Sequence, residues 1–119
     1  MSASMVTIKM IISEKKSISM LMQEDTGSSA TMISTTMWIK AGKPELKPYR
    51  GSALRSYDGS VLKIVGVLEG VIEYNKRFDL MSIIVVSSDK TFGLIGRDQL
   101  AVNTVHSITL EEKDERLGA

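Results

Sequence analysis

The sequence predicts an all-β domain, a small barrel or sandwich. Three observations carry that prediction. At least seven short segments alternate apolar and polar residues or run in β-branched residues. Turn signals built from Gly, Asp, Asn, Ser and Pro separate them. Only 35–42 and 97–105 have a composition suited to a helix, and both are short.

"MVTIKMII" (5–12) places Val6, Ile8 and Met10 on one side and Thr7 and Lys9 on the other, as a strand does. After the polar turn "SEKK", "SISMLMQED" (17–25) alternates again through Ile18, Met20 and Met22 and completes a hairpin. "TGSS" breaks the pattern, and "ATMIS" (30–34) is a short apolar strand. "TTMWIKAG" (35–42) suits one or two helical turns, opened by a Ser or Thr cap and stopped at Gly42. Pro44 and Pro48 punctuate a loop. A long hairpin follows, from 52–57 to 61–74, with Asp58-Gly59 as a two-residue turn of the primed type, which needs positive φ values. Asn75-Lys76 turns the chain into "RFDLMSIIVV" (77–86). "SSDKT" is a loop, "FGLIG" (92–96) a short strand, 97–105 a helix and "SITL" (107–110) a last strand.

The chain has 119 residues, which suits one domain that buries roughly two-thirds of its unfolded surface. Composition turns charged near 110, so the domain is placed at 5–110 and a solvated tail at 111–119. The net charge is +1, which argues against a broad electrostatic footprint for nucleic acid or an anionic membrane. Cysteine is absent, which removes disulfides, thiolate catalysis and Cys-based zinc sites. No apolar run approaches the length of a membrane span. The N-terminal region has neither a basic segment before an apolar run nor a long apolar run. A soluble, intracellular chain without a signal peptide is expected.

Most catalytic equipment is missing. The single histidine, His106, lies in a polar stretch, where a lone histidine is ordinarily structural or solvated. No Ser-His or Cys-His system and no histidine-rich metal spacing can be drawn. "GVLEG" is no phosphate loop, because no Gly-Lys-Ser/Thr follows. No cofactor or metal is expected. Asp25 remains, inside "LMQEDTGSSATMIS". By itself an Asp-Thr-Gly run reads as a strand end with a turn. Its context adds to this: a hairpin before it, an apolar strand and a long hairpin after it, and finally "FGLIGRDQL".

In that order these features resemble the retropepsins, the single-domain aspartic proteases of retroviruses and long-terminal-repeat retroelements. "VTIKMIISEKKSISMLMQEDTGSSATMIS" resembles the family's opening hairpin, active-site loop and following strand. "AGKPELKPYRGSALRSYDGSVLKIVG" resembles the flap region of the gypsy class, and "GLIGRDQL" the second signature with its short helix. The resemblance implies a small closed barrel with a flap hairpin and one short C-terminal helix, acting as a homodimer.

It also implies a chemistry. Two carboxylates about 3 Å apart share one proton. The ionised one draws a proton from water, and the protonated one acts on the substrate carbonyl. This chain has one Asp-Thr-Gly, so each of two protomers would contribute Asp25. Thr26 would hydrogen-bond across the two-fold axis. Gly27 would leave room for substrate backbone, and Ser28 would place a hydroxyl near the dyad. Ser56, Tyr57, Asp58, Gly59 and Ser60 would form the flap over an extended peptide or polyprotein. Leu94, Ile95 and Gly96 would pack behind the active-site loop, with Arg97 and Asp98 completing the signature.

Three departures stand beside the resemblance. Glu24 occupies a position that is normally apolar, and its carboxylate lies on the opposite strand face from Asp25, where Arg97 is a candidate partner. Ser29 replaces an acid that pairs with the signature arginine in many retroviral members. Four residues precede the first strand, which leaves "SITL" as the candidate intermolecular strand. The implied function is a homodimeric aspartic endopeptidase of a gypsy-class retroelement or of a host gene derived from one. The alternative is a non-cleaving dimerisation or peptide-binding module of that fold.

Overall fold

The structure is a computed structural model that describes residues 4–25, 27–56, 58–74 and 76–97. Six strands and one helix follow in chain order: β1 (Met5–Ser13), β2 (Lys16–Glu24), β3 (Met32–Ser34), α1 (Thr35–Lys40), β4 (Ile64–Tyr74), β5 (Arg77–Val86) and β6 (Gly93–Ile95). The strands close a barrel in the order β1-β2-β6-β3-β5-β4. The barrel alternative therefore holds over the sandwich.

Two hairpins supply most of the wall. In β1–β2, Ile8 faces Met20 and Met10 faces Ile18. The alternation read from the sequence matches what is buried: Ile8, Met10, Met20 and Met22 are inside, and Val6 and Ile18 pack against them. In β4–β5, Leu68 and Ile72 point inward with Met81, Ile83 and Val85, while Phe78 and Leu80 face out. The hairpins join where Lys9–Ile11 pair with Val71–Glu73. Five buried methionines (10, 20, 22, 37 and 81) occupy the core of a chain with two phenylalanines. Their unbranched, flexible side chains fill the irregular space left by strands that twist around a small barrel.

Short strands complete the closure. β6 pairs parallel with the end of β2, Met22 to Gly93 and Glu24 to Ile95. β3 pairs parallel with the end of β5, Met32 to Ile84 and Ser34 to Val86, and meets β6 at Leu94. α1 begins at the Ser34 cap, whose Oγ accepts the Met37 N–H at 3.1 Å. It stops before Gly42, which has φ +91°. No helix among the described residues is long and apolar enough to cross a membrane.

Two expectations need correction. The segment 52–57 forms no regular strand; it meets the returning chain at the single bridge Arg55–Val61. β4 accordingly starts at Ile64 rather than residue 61. The flap turn is also not a two-residue primed turn. Ser56 N–H donates to Ser60 O at 2.8 Å and Gly59 N–H to Ser56 O at 3.0 Å, so three residues lie inside the closing pair. Gly59 takes the positive φ, +86°, and Asp58 does not. An Asp-Gly pair serves this loop as well as the primed turn, because in both the glycine supplies the left-handed residue. Tyr74 pairs with Arg77 where the next turn was expected, and Lys76 takes φ +62°; Asn75 lies outside the described residues. The expected helix beyond Arg97, the strand 107–110, His106 and the tail lie outside the described residues.

Candidate functional site

Asp25 follows directly from β2, and the chain there is fixed by β6. Its N–H donates to Ile95 O at 3.0 Å, continuing the parallel ladder by one step. Gly27 N–H donates to Asp25 Oδ1 at 2.9 Å, and Ser28 N–H donates to Asp25 O at 3.1 Å. These bonds tie Gly27 and Ser28 back to the half-buried Asp25, whose carboxylate is held by the Gly27 amide. Glu24 is half-buried one residue earlier, and its N–H donates to Ser4 O at 2.9 Å.

The loop rests on residues 95–97. Arg97 N–H donates to Ser28 O at 2.8 Å. Gly96 N–H donates to the hydroxyl of Thr31, a fully buried residue, at 3.1 Å. A Cβ on Gly96 would stand 2.5 Å from the carbonyl carbon and oxygen of Ala30, so only glycine lets the two backbones approach. The Ser28 hydroxyl donates to Ala30 O at 2.7 Å rather than to Asp25. It therefore braces the loop, where the sequence suggested a donor to the dyad.

Asp25, Gly27 and Ser28 form one side of a cleft of about 830 Å³. Arg55, Ser56 and Asp58 of the hairpin 52–65 line it too. Met32, Val86, Phe92 and Leu94 also line it, with Gln23, Ser87, Ser88 and Lys90 as polar members of the lining. Ile95 is not exposed to the cleft; it lies in the core, 1% exposed. Ser60 and Gly59 shape the hairpin tip. Asp58 Oδ1 accepts the Ser60 N–H at 2.9 Å and the hydroxyls of Ser56 and Ser60 at 2.5 and 2.6 Å. The two hydroxyls, Ser56 first, and the Ser60 amide hold the Asp58 carboxyl down at about 2. Arg55 Nη1 donates to Gly59 O at 2.8 Å across the same tip.

Thr26, Tyr57 and Asp98 lie outside the described residues. The other predicted site residues fall into three groups. Asp25, Gly27, Ser28, Ser56, Asp58 and Leu94 reach the cleft, Gly59 and Ser60 shape the hairpin tip without lining it, and Ile95, Gly96 and Arg97 support the loop from behind. Sequence reasoning missed the side walls, which come from 86–92. "SSDKT" carries only a loop signal, and its place beside the cleft follows from β5 and β6 flanking β3.

Among the described residues, no group of three His, Asp or Glu side chains is placed to hold a metal ion. A second cavity of about 500 Å³ holds the Lys47–Glu69 ion pair, 2.7 Å, and none of the predicted site residues. In the main cleft the carboxylates are Asp25 and Asp58. Asp58 is committed to its own turn, which leaves Asp25 as the one uncommitted carboxylate lining the cleft among the described residues.

No protein-family model and no curated protein matches the sequence. Among solved structures the chain is similar to the EIAV protease complexed with the inhibitor HBY-793. The TM-score is 0.66 at 13% identity, over 87% of this chain and 89% of that one. It is also similar to the retroviral protease-like domain of Ddi1 from Leishmania major, with a TM-score of 0.55 at 15% identity over 82% and 74% of the two chains. At these identities the likeness is one of fold. The closed six-stranded barrel with its short helix is the retropepsin fold.

Proposed function

We propose that two copies of this chain pair to form an aspartic endopeptidase, with one Asp25 from each copy. The observation that carries this is a half-buried Asp25 in a loop clamped onto residues 95–97, beside a cleft of about 830 Å³. General acid–base hydrolysis needs two groups in opposite protonation states. Among the described residues the cleft offers a single uncommitted carboxylate, so a two-fold pair supplies what the chemistry requires.

In the mechanism, the two Asp25 side chains share one proton and hold a water between them. The ionised carboxylate takes a proton from the water as it attacks the scissile carbonyl carbon. The protonated carboxylate gives its proton to the carbonyl oxygen. As the tetrahedral intermediate breaks its C–N bond, the carboxyl that took the water's proton gives it to the nitrogen, the other carboxylate takes a proton from a hydroxyl of the diol, and the dyad again holds one shared proton. Gly27 N–H fixes the rotation of the Asp25 side chain through Oδ1. Rigid donors of this kind remove reorganisation from the reaction step. The peptide lies as an added strand between loop and hairpin, with apolar side chains against Met32, Val86 and Leu94. The flap-region and second-signature resemblance supports a gypsy-class retroelement polyprotein, or a host protein derived from one, as parent and substrate.

The test is cleavage of a mixed peptide library between pH 4 and 7 by wild type and Asp25→Asn. Cleavage by wild type that vanishes in the variant supports the proposal. Equal cleavage by both overturns it. Peptide binding by a dimer that never cleaves selects the alternative, a binding module of this fold.

A further inference from the structure

Four charged side chains line the cleft among the described residues, two of each sign. Besides Asp25 they are Arg55 and Asp58 on the hairpin and Lys90 on the wall. Arg55 and Asp58 are three residues apart on one tip and offset each other, and both are already hydrogen-bonded there. Lys90 itself is in no ion pair among the described residues.

Lys90 is also held in place. Its N–H donates to Ser88 Oγ at 3.2 Å, and its carbonyl accepts the Ser34 hydroxyl at 2.6 Å. Ser88 is tied in turn to α1, where Thr35 Oγ1 donates to Ser88 O at 3.0 Å. The backbone of this loop is therefore pinned on both sides of residue 90. From it the ammonium sits 5.8 Å from the centre of the Phe92 ring, which lines the cleft as well. An aromatic face attracts the cation and limits where it wanders. The wall thus presents a pre-placed positive charge beside an apolar surface made by Phe92 and Leu94.

We infer that Lys90 is a specificity-determining residue that selects an acidic side chain in the bound peptide, next to an apolar one. The inference rests on the proposed function above only in taking the cleft as the place where a peptide binds. In an extended peptide alternate side chains face the same wall, so one can fill the apolar surface while another reaches the ammonium. A carboxylate there gains a cation that has no other carboxylate to satisfy. A lysine or arginine at that position meets like charge. When a hairpin closes over the peptide and excludes water, the difference grows.

The experiment compares matched peptides carrying Glu, Gln or Lys at the position that a peptide library enriches, in cleavage by wild type or in binding to Asp25→Asn. Wild type should favour Glu over Gln by roughly three- to tenfold in kcat/KM, the range of a partly screened ion pair, and disfavour Lys. The preference should shrink on adding salt. Lys90→Gln should bring the Glu-to-Gln ratio to about one. Lys90→Glu should invert the order so that Lys is preferred, an outcome that mere damage to the fold cannot produce. The same three peptides are bound to Asp25→Asn, which reads the charge preference without cleavage. Glu-selective binding there, with no cleavage by wild type, upholds this inference while the catalytic reading falls. Cleavage and binding that ignore the Glu, Gln and Lys differences overturn the inference and leave the catalytic reading standing. No peptide binding at all overturns both.

Discussion

Gly96 has no room for a side chain. An added Cβ would sit 2.5 Å from Ala30 backbone atoms, and neither backbone can swing aside as a flexible side chain would. Gly96→Ala should therefore destabilise the chain by at least ~1–3 kcal/mol, the range for overpacked sites, as read from denaturant midpoints at unchanged slope. A midpoint equal to wild type would show that the Ala30 loop yields freely. Thr31 tests the same junction from the other partner. Its hydroxyl accepts the Gly96 N–H in a fully buried place. Thr31→Val keeps the shape and removes the acceptor, and should cost about 1–3 kcal/mol because a buried N–H is left unpaired. Gly96 was legible in the sequence through the "GLIGRD" run. Thr31 was not, since a threonine in "ATMIS" reads as any strand residue until the backbone it serves is located.

The hairpin 52–65 and helix α1 carry the tests at the scale of the element. Asp58 organises the hairpin tip through three hydrogen bonds to one oxygen. Its carboxyl lies at about 2, against an ordinary value of 3.8. A folded value that is depressed marks bonds that favour the ionised form. The tip is therefore fully supported above about pH 4 and loses that support as pH falls through about 2. The Gly59 and Ser60 amide resonances should move toward unstructured positions over that interval, and Asp58→Asn should abolish the movement. Unchanged resonances down to pH 2 would mean the bonds do not order the tip. In α1, the Ser34 hydroxyl both caps the helix at Met37 and donates to Lys90 O. Ser34→Ala should cost roughly 1–2 kcal/mol through the lost cap. The β1–β2 and β4–β5 hairpins and α1 were readable because their signals are local: period-two alternation, a Ser before an apolar turn, Asn-Lys between long strands. The tip of 52–65 was misread because Asp-Gly marks a left-handed glycine without saying how many residues the loop encloses.

For the whole molecule, the central prediction is assembly. A single uncommitted carboxylate per cleft motivates a two-fold dimer, and sedimentation at tens of micromolar should show one. A strict monomer there would count heavily against the catalytic reading. The barrel's strand order was less legible than its hairpins, because β6 and β3 are three residues each and pair in parallel with distant segments. Three-residue runs such as "GLI" and "MIS" carry no marker of a partner. The same parallel pairing has a consequence in time. Hairpins close within microseconds from neighbouring residues, whereas long-range pairs wait on the search of the whole chain. Thr31 and Gly96 are 65 positions apart, and Asp25 leans on Ile95 across a similar span. The loop holding Asp25 is thus an early-made sequence with a late-made geometry. On a ribosome it would emerge well before the residues that shape it, and a chain released short of Gly93 would carry the aspartate but no site to use it.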